Sequence, residues 1–137
     1  MLNTKVKDFM QHKLPNITPD TEMTTAIAEL QKFKLLGAPV FDNNKFLVGF
    51  ISEQELLQPL MQSSYFCDGM VRVSQLMQTE VVTVHGDTNI IELAEQMKPG
   101  KPKNYPVVDG EKVIGMISRA DILKALYDNY VNCQTHI

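Results

Sequence analysis

With thirteen Lys and Arg against sixteen Asp and Glu in 137 residues, the chain carries a formal net charge of -3, so it lacks the basic face that a nonspecific grip on DNA or RNA requires. Its two cysteines, Cys67 and Cys133, make neither a disulfide framework nor a C-x-x-C metal pair, which fits a reducing compartment. The start, Met1 to Asp8, has no apolar core of a secretory signal, and no apolar run approaches the length of a bilayer. The expectation is a soluble, cytoplasmic protein of one compact domain or two small halves sharing a core.

In chain order, Thr4 to Met10 reads as a short helical turn with Val6, Phe9 and Met10 on one side. A brief strand is expected at Asn16-Ile17-Thr18, with Asp20-Thr21 supplying N-cap oxygens for a helix. That helix carries Met23, Ala26, Ile27, Leu30 and Phe33 as a core-facing stripe, and Gly37 is a natural C-terminal stop. Ala38-Pro39-Val40-Phe41-Asp42 follows as a strand with proline near its start, where a strand tolerates it. Asp42-Asn43-Asn44 turns the chain into Leu47-Val48-Gly49-Phe50-Ile51, and a closing helix begins at Ser52 and breaks or bends at Pro59. Residues 58 to 71, with Ser63-Ser64 and Asp68-Gly69, form a bridge too short for a free linker.

Then the whole order returns. Arg72 to Met77 answers the opening turn, with Val73, Leu76 and Met77 as its apolar side. Val81-Val82-Thr83-Val84 answers the first strand, and Asp87-Thr88 answers the cap. Ile90, Leu93, Ala94 and Met97 repeat the helical stripe, cut short by Pro99-Gly100. Tyr105-Pro106-Val107-Val108-Asp109, the turn Asp109-Gly110 and Val113-Ile114-Gly115-Met116-Ile117 repeat the two strands. A proline-free helix then runs from Ser118 to about Tyr130. Matching positions lie 67 apart upstream (Ile17 and Val84) and 66 apart at the serines, so one residue is missing from the intervening turn. This is a duplication. Repeats are placed at 1-62 and 72-137, joined by 63-71, and each reads helix-strand-helix-strand-strand-helix, an α+β fold. A unit of about 60 residues has a marginal core alone, so the halves are expected to pack together.

Chemistry concentrates where the last strand of each repeat meets its helix. Ser52-Glu53-Gln54-Glu55 fits a capping box, in which the hydroxyl accepts from the N3 N–H and the acid reaches back to the N-cap N–H. In Ser118-Arg119-Ala120-Asp121 the aspartate is shorter and is expected to reach back less well. Two roles are open to it: a cap, or an acceptor for the vicinal diol of a ribose, with the Ser118 hydroxyl assisting. Gly115 is expected to let a ligand approach the strand, and the helix N-terminus to favour a phosphate. His12, His85 and His136 have no ligand spacing, and no nucleophile-base arrangement, P-loop or dinucleotide glycine pattern is present. Neither metal binding nor catalysis is expected.

The doubled Pro-Val-x-Asp, the doubled Gly-x-Ile-Ser and the acid three residues beyond each serine resemble a tandem pair of cystathionine-β-synthase (CBS) domains, over nearly all of Val6 to Tyr130. The resemblance implies a head-to-tail pair with pseudo-twofold symmetry that forms a homodimer and binds adenosine-containing ligands (AMP, ADP, ATP, S-adenosylmethionine) in clefts between the repeats. The family's Gly-x-x-Ser/Thr-x-x-Asp ribose motif carries onto Gly115, Ser118 and Asp121, with base contacts implied at Thr83, Val84, Asn104, Tyr105 and Pro106. A weaker site falls on Thr18, Ala38, Pro39, Ser52 and Glu55, where glutamate replaces the aspartate. Tyr105 is open to two roles, a face for an adenine ring or plain packing. Lys101 and Lys103, on a loop stiffened by two prolines, and Arg119 are candidates for phosphates or for solvated surface. The implied function is a non-enzymatic regulatory module with no required cofactor, reporting an adenine nucleotide to an effector protein. The rival reading is a dimerising adaptor with no nucleotide.

Overall fold

The computed structural model describes residues 4–63 and 70–135. Cys67, His136, Ser64, Asp68 and Gly69 lie outside the described residues. The chain forms two compact units, and neither is one stretch of sequence. The first gathers Met1–His12, Val82–Gly110 and Ile114–Ile137; the second gathers Lys13–Val81 and Glu111–Val113.

In the second unit, helix α1 (Met23–Phe33) precedes an antiparallel pair, β1 (Gly37–Phe41) and β2 (Leu47–Ser52), and helix α2 (Glu53–Ser63) follows directly. β1 is buried along its whole length, while β2 is only partly covered. Val40 lies opposite Gly49, and the register shifts between Val40 and Phe41. The Asp42 carboxylate holds the connecting turn, accepting from the N–H groups of Asn44 at 2.9 Å and Phe46 at 3.0 Å.

The first unit holds β3 (Val84–His85), helix α3 (Ile90–Gln96), β4 (Asn104–Asp109), all but the first two residues of β5 (Lys112–Ser118) and helix α4 (Arg119–Thr135). β4 is the middle strand; β3 runs parallel to it, with Val84 opposite Val107. The core combines Val84, Ile90, Leu93, Tyr105, Val107, Ile117, Ile122 and Ala125 with Val6 and Met10 from the far end of the chain. Of the expected stripes, Met23, Ala26, Leu30, Ile90 and Leu93 are buried, and Ala94 and Met97 pack against the core from its margin.

The opening segments are exchanged between repeats. Both are single 3-10 turns, Val6–Asp8 and Val73–Gln75. The first bonds to the second repeat, with Val6 N–H donating to the Thr88 carbonyl and Lys7 N–H to that of Gly86. The other bonds to the first repeat, Val73 N–H donating to the carbonyl of Thr21 and Ser74 N–H to that of Pro19. Lys7 and Lys5 also hold the exposed Asp87 carboxylate, at 3.1 and 3.6 Å, and lower its pKa from the usual carboxylate range, the Lys7 hydrogen bond contributing most.

Several local expectations are corrected. No strand forms at 16–18; Pro15 and Pro19 remove two N–H groups from a stretch of five residues, and Thr18 N–H bonds instead to the Thr21 hydroxyl. Neither Asp-Thr pair caps a helix. The N-caps are Glu22, with no side-chain bond, and Asn89, whose Oδ1 accepts from Ile91 N–H at 2.7 Å. Lys34, in the left-handed conformation at φ 57°, ends α1, and Gly37 opens β1 against the Phe50 ring. α2 continues through Pro59.

The repeated glycine has a reason other than ligand approach. Gln11 and Met116 exchange backbone bonds of 2.8 and 3.0 Å, and Gln78 and Phe50 make the same bridge at 2.8 and 2.9 Å. A Cβ on Gly115 would stand 2.7 Å from both the Gln11 carbonyl oxygen and the Met10 sulfur, and one on Gly49 would stand 2.8 Å from the Gln78 carbonyl. Methionine can swing aside; a bridged backbone carbonyl cannot. Gly115→Ala is therefore expected to destabilise the fold by about 1–3 kcal/mol, the usual range for overpacking, measured by urea denaturation.

Tyr105 is only 2% exposed, and burial raises its phenol pKa. The folded state thus favours the neutral ring. Its contribution is fully present below the ordinary tyrosine pKa of about 10 and is lost as pH rises through the higher folded value. Stability measured by denaturant titration should decline above about pH 10, and Tyr105→Phe should flatten that decline.

Candidate functional site

In the first unit β4 starts from one end of the sheet at Asn104, and β3 runs beside its later half. The hairpin through Gly110 returns β5 to that same end, where Ser118 leads into α4. Asn104, Ser118, Arg119 and Asp121 therefore share an edge, whereas Val84 stands three residues along β4 from it, opposite Val107. Lys103 joins it through its backbone, its carbonyl accepting from Arg119 N–H at 2.9 Å. Thr83, Lys101, Lys103 and Arg119 are exposed; Asn104, Ser118 and Asp121 are half-buried.

Asp121 does reach back. Its Oδ2 accepts from Ser118 N–H at 2.9 Å, while Asp121 N–H donates to Ser118 Oγ at 3.1 Å. The pair is a reciprocal cap, one of the two roles open to it, although the shorter aspartate was expected to reach back less well. Three of the first four N–H groups of α4, those of Ser118, Arg119 and Asp121, are thereby engaged, which corrects the idea of an open anion site at this terminus. On the side chains of this pair two groups take no bond among the described residues: Asp121 Oδ1, an acceptor, and the Ser118 hydroxyl hydrogen, a donor.

In the first repeat both carboxylate oxygens and the serine hydrogen are engaged. Glu55 Oε1 accepts from both the N–H and the hydroxyl of Ser52, each at 2.8 Å, and Oε2 accepts from Gln78 Nε2 at 3.0 Å. The Ser52 hydroxyl thus donates to the acid, whereas Ser118 Oγ accepts from the helix. The terminus of α2 is closed in the same way as that of α4, by Glu53 N–H on the Leu36 carbonyl. Of the weaker set, Ala38 and Pro39 are buried in β1, and Thr18 is held by Thr21.

Four residues expected at the second-repeat site are buried. Tyr105 belongs to the core of its unit, so its ring offers no face to an adenine; its neighbour Pro106 and Val84 are buried as well, and Gly115 lies under Met10 and Gln11. One residue escaped the sequence reading, Gln78. The recurrence of Met-Gln at 10–11 and 77–78 was the available signal. Among the described residues no group of three or more His, Cys, Asp and Glu is placed to hold a metal ion, and no helix is long and apolar enough to cross a membrane.

The chain matches the CBS domain model twice, at residues 6–61 and 73–128. It is 29% identical over 125 residues to protein MJ1232 of Methanocaldococcus jannaschii, covering 90% of this chain and 40% of that one. It is 30% identical over 109 residues to the inosine-5'-monophosphate dehydrogenase of the same organism, covering 79% and 21%. The chain thus spans less than half the length of these two relatives. Among solved structures it is similar to CBSX2 of Arabidopsis thaliana in complex with AMP, at 30% identity and TM-score 0.78, covering 93% of this chain and 99% of that one. It is also similar to the CBS domain pair of MJ0100 in complex with 5'-methylthioadenosine and S-adenosyl-L-methionine, at 26% identity and TM-score 0.75, covering 92% and 98%. Two family matches in tandem, on a fold shared with solved CBS pairs, establish that the chain belongs to the CBS domain family as a tandem pair.

Proposed function

We propose that the chain is a regulatory module that binds an adenosine-containing compound at the β5–α4 corner of the second repeat, and that it is not itself an enzyme. One observation carries the reading: the Ser118–Asp121 cap leaves an acceptor at Oδ1 and a donor at the hydroxyl. A ribose diol presents two hydroxyls, each able to donate and accept. One hydroxyl donates to Oδ1 and takes the Ser118 hydrogen in return. Because Oδ2 is fixed by the cap, the carboxylate is already oriented and little side-chain entropy is lost on binding. Asn104 at the start of β4 and Thr83 just before β3 are the positions for the base, and Lys101, Lys103 and Arg119 those for any phosphate. The AMP, methylthioadenosine and S-adenosylmethionine bound by similar pairs support this ligand class.

The module requires no cofactor on this reading. It works in the cytoplasm as a homodimer that signals to an effector protein. Support for the dimer lies in α4, where Leu123, Tyr127 and Tyr130 recur on one face and are each more than 60% exposed. Sedimentation velocity should give twice the chain mass, and Leu123→Glu/Tyr127→Glu should give the single-chain mass.

Melting with AMP, 5'-methylthioadenosine and S-adenosylmethionine tests the ligand. At a hundredfold excess over its dissociation constant, a ligand adds about 2.7 kcal/mol. One of the three should raise Tm; Asp121→Ala should abolish the shift and Glu55→Ala should leave it. The Asp121 variant also loses its cap, about 1 kcal/mol, so each shift is taken against the same variant without ligand. No shift with any of the three would favour the adaptor reading, for which the fully bonded Glu55 and the apolar face of α4 speak.

A further inference from the structure

Gln78 and Gln11 occupy equivalent places on the two exchanged segments, each following the methionine that lies over the glycine of a bridged strand. Their side chains behave differently. Gln78 reaches the acid of its corner, its Nε2 standing 3.0 Å from Glu55 Oε2. Gln11 makes no such bond to Asp121 among the described residues. The difference follows from one methylene. Glutamate, capping through Oε1, extends its second oxygen far enough to meet the amide; aspartate, capping through Oδ2, holds its second oxygen back. In the first corner Ser52 also gives its hydrogen to Glu55.

We propose that Gln78 closes the first-repeat corner against nucleotide, its amide standing where a ribose hydroxyl would donate. Gln78 is thus a specificity-determining residue, and with Glu55 it restricts the chain to one adenosine per CBS pair. The proposal rests on the reading of the Ser118–Asp121 corner given above. To enter the first corner, a ligand must break the amide–carboxylate bond and recover the Ser52 hydrogen from Glu55, while at the second corner nothing needs to be displaced. Discrimination arises from what the site already holds rather than from shape.

The test is the stoichiometry of AMP and S-adenosylmethionine binding by isothermal titration calorimetry. The wild-type chain should bind one equivalent. Glu55→Asp/Gln78→Ala should bind two, because aspartate at this position keeps the cap, as Asp121 does, and withdraws the second oxygen from the amide. On an Asp121→Ala background, which should bind none, the same pair of changes should restore one equivalent. Should the double variant lose its cooperative melt, Gln78→Ala alone carries the test, since it leaves the Glu55 cap untouched and frees Oε2; it should add a second, weaker event. A wild-type chain that binds two equivalents overturns the proposal. So does a folded variant that still binds one, or none on the Asp121→Ala background. A wild-type chain that binds neither compound overturns the underlying reading instead.

Discussion

Everything in each unit is arranged around a pair of backbone hydrogen bonds laid across a bare glycine. Gln11 on Met116, and Gln78 on Phe50, add a further short bridge to the last strand of a repeat to which they do not belong. Such a bridge needs the two backbones close, and a methyl group at Gly115 or Gly49 would stand within 3 Å of a carbonyl already committed to it. The glycine admits the segment; the segment then delivers Val6 and Met10 into the first unit's core. It also places a glutamine at the edge of the strand–helix corner. Fold and candidate site share this one constraint.

At the corners themselves, side-chain length settles what remains for a ligand. Both acids close the first turn of a helix, so capping and binding are not rivals for the residue, only for its oxygens. Glutamate reaches two partners beyond its cap bond to the Ser52 N–H, the serine hydroxyl and the glutamine amide. Aspartate reaches only its own turn. The duplicated sequence has therefore given rise to two unequal corners, one whose acid is bonded at both oxygens and one with an acceptor and a donor unspent.

Much of this was legible beforehand, because it is local. The duplication could be read from matches in order, the α1 and α3 stripes from helical spacing, and the Ser-x-x-acid pairs from cap chemistry. What escaped was set by partners distant in sequence. Gly115 looked like room for a ligand because Met10 and Gln11, more than a hundred positions away, give no local sign of lying over it. Tyr105 was open to a ring contact because an aromatic at a strand start reads alike whether it faces core or cleft; only the packed core of the first unit tells them apart. The caps at Glu22 and Asn89 were missed by one or two residues, since Asp-Thr pairs offer good capping oxygens that here serve turns and an ion pair instead.

The exchange of opening segments bears on how the molecule came to be and on how it can be divided. A lone ancestral repeat with the same bridge would have had to lend its first turn to another molecule and borrow one back, so association between chains would predate the fused gene. In the present chain, severing at the seam between the copies leaves each fragment carrying its neighbour's missing piece. A cut that respects the folded units must instead reassign the first dozen residues to the later half.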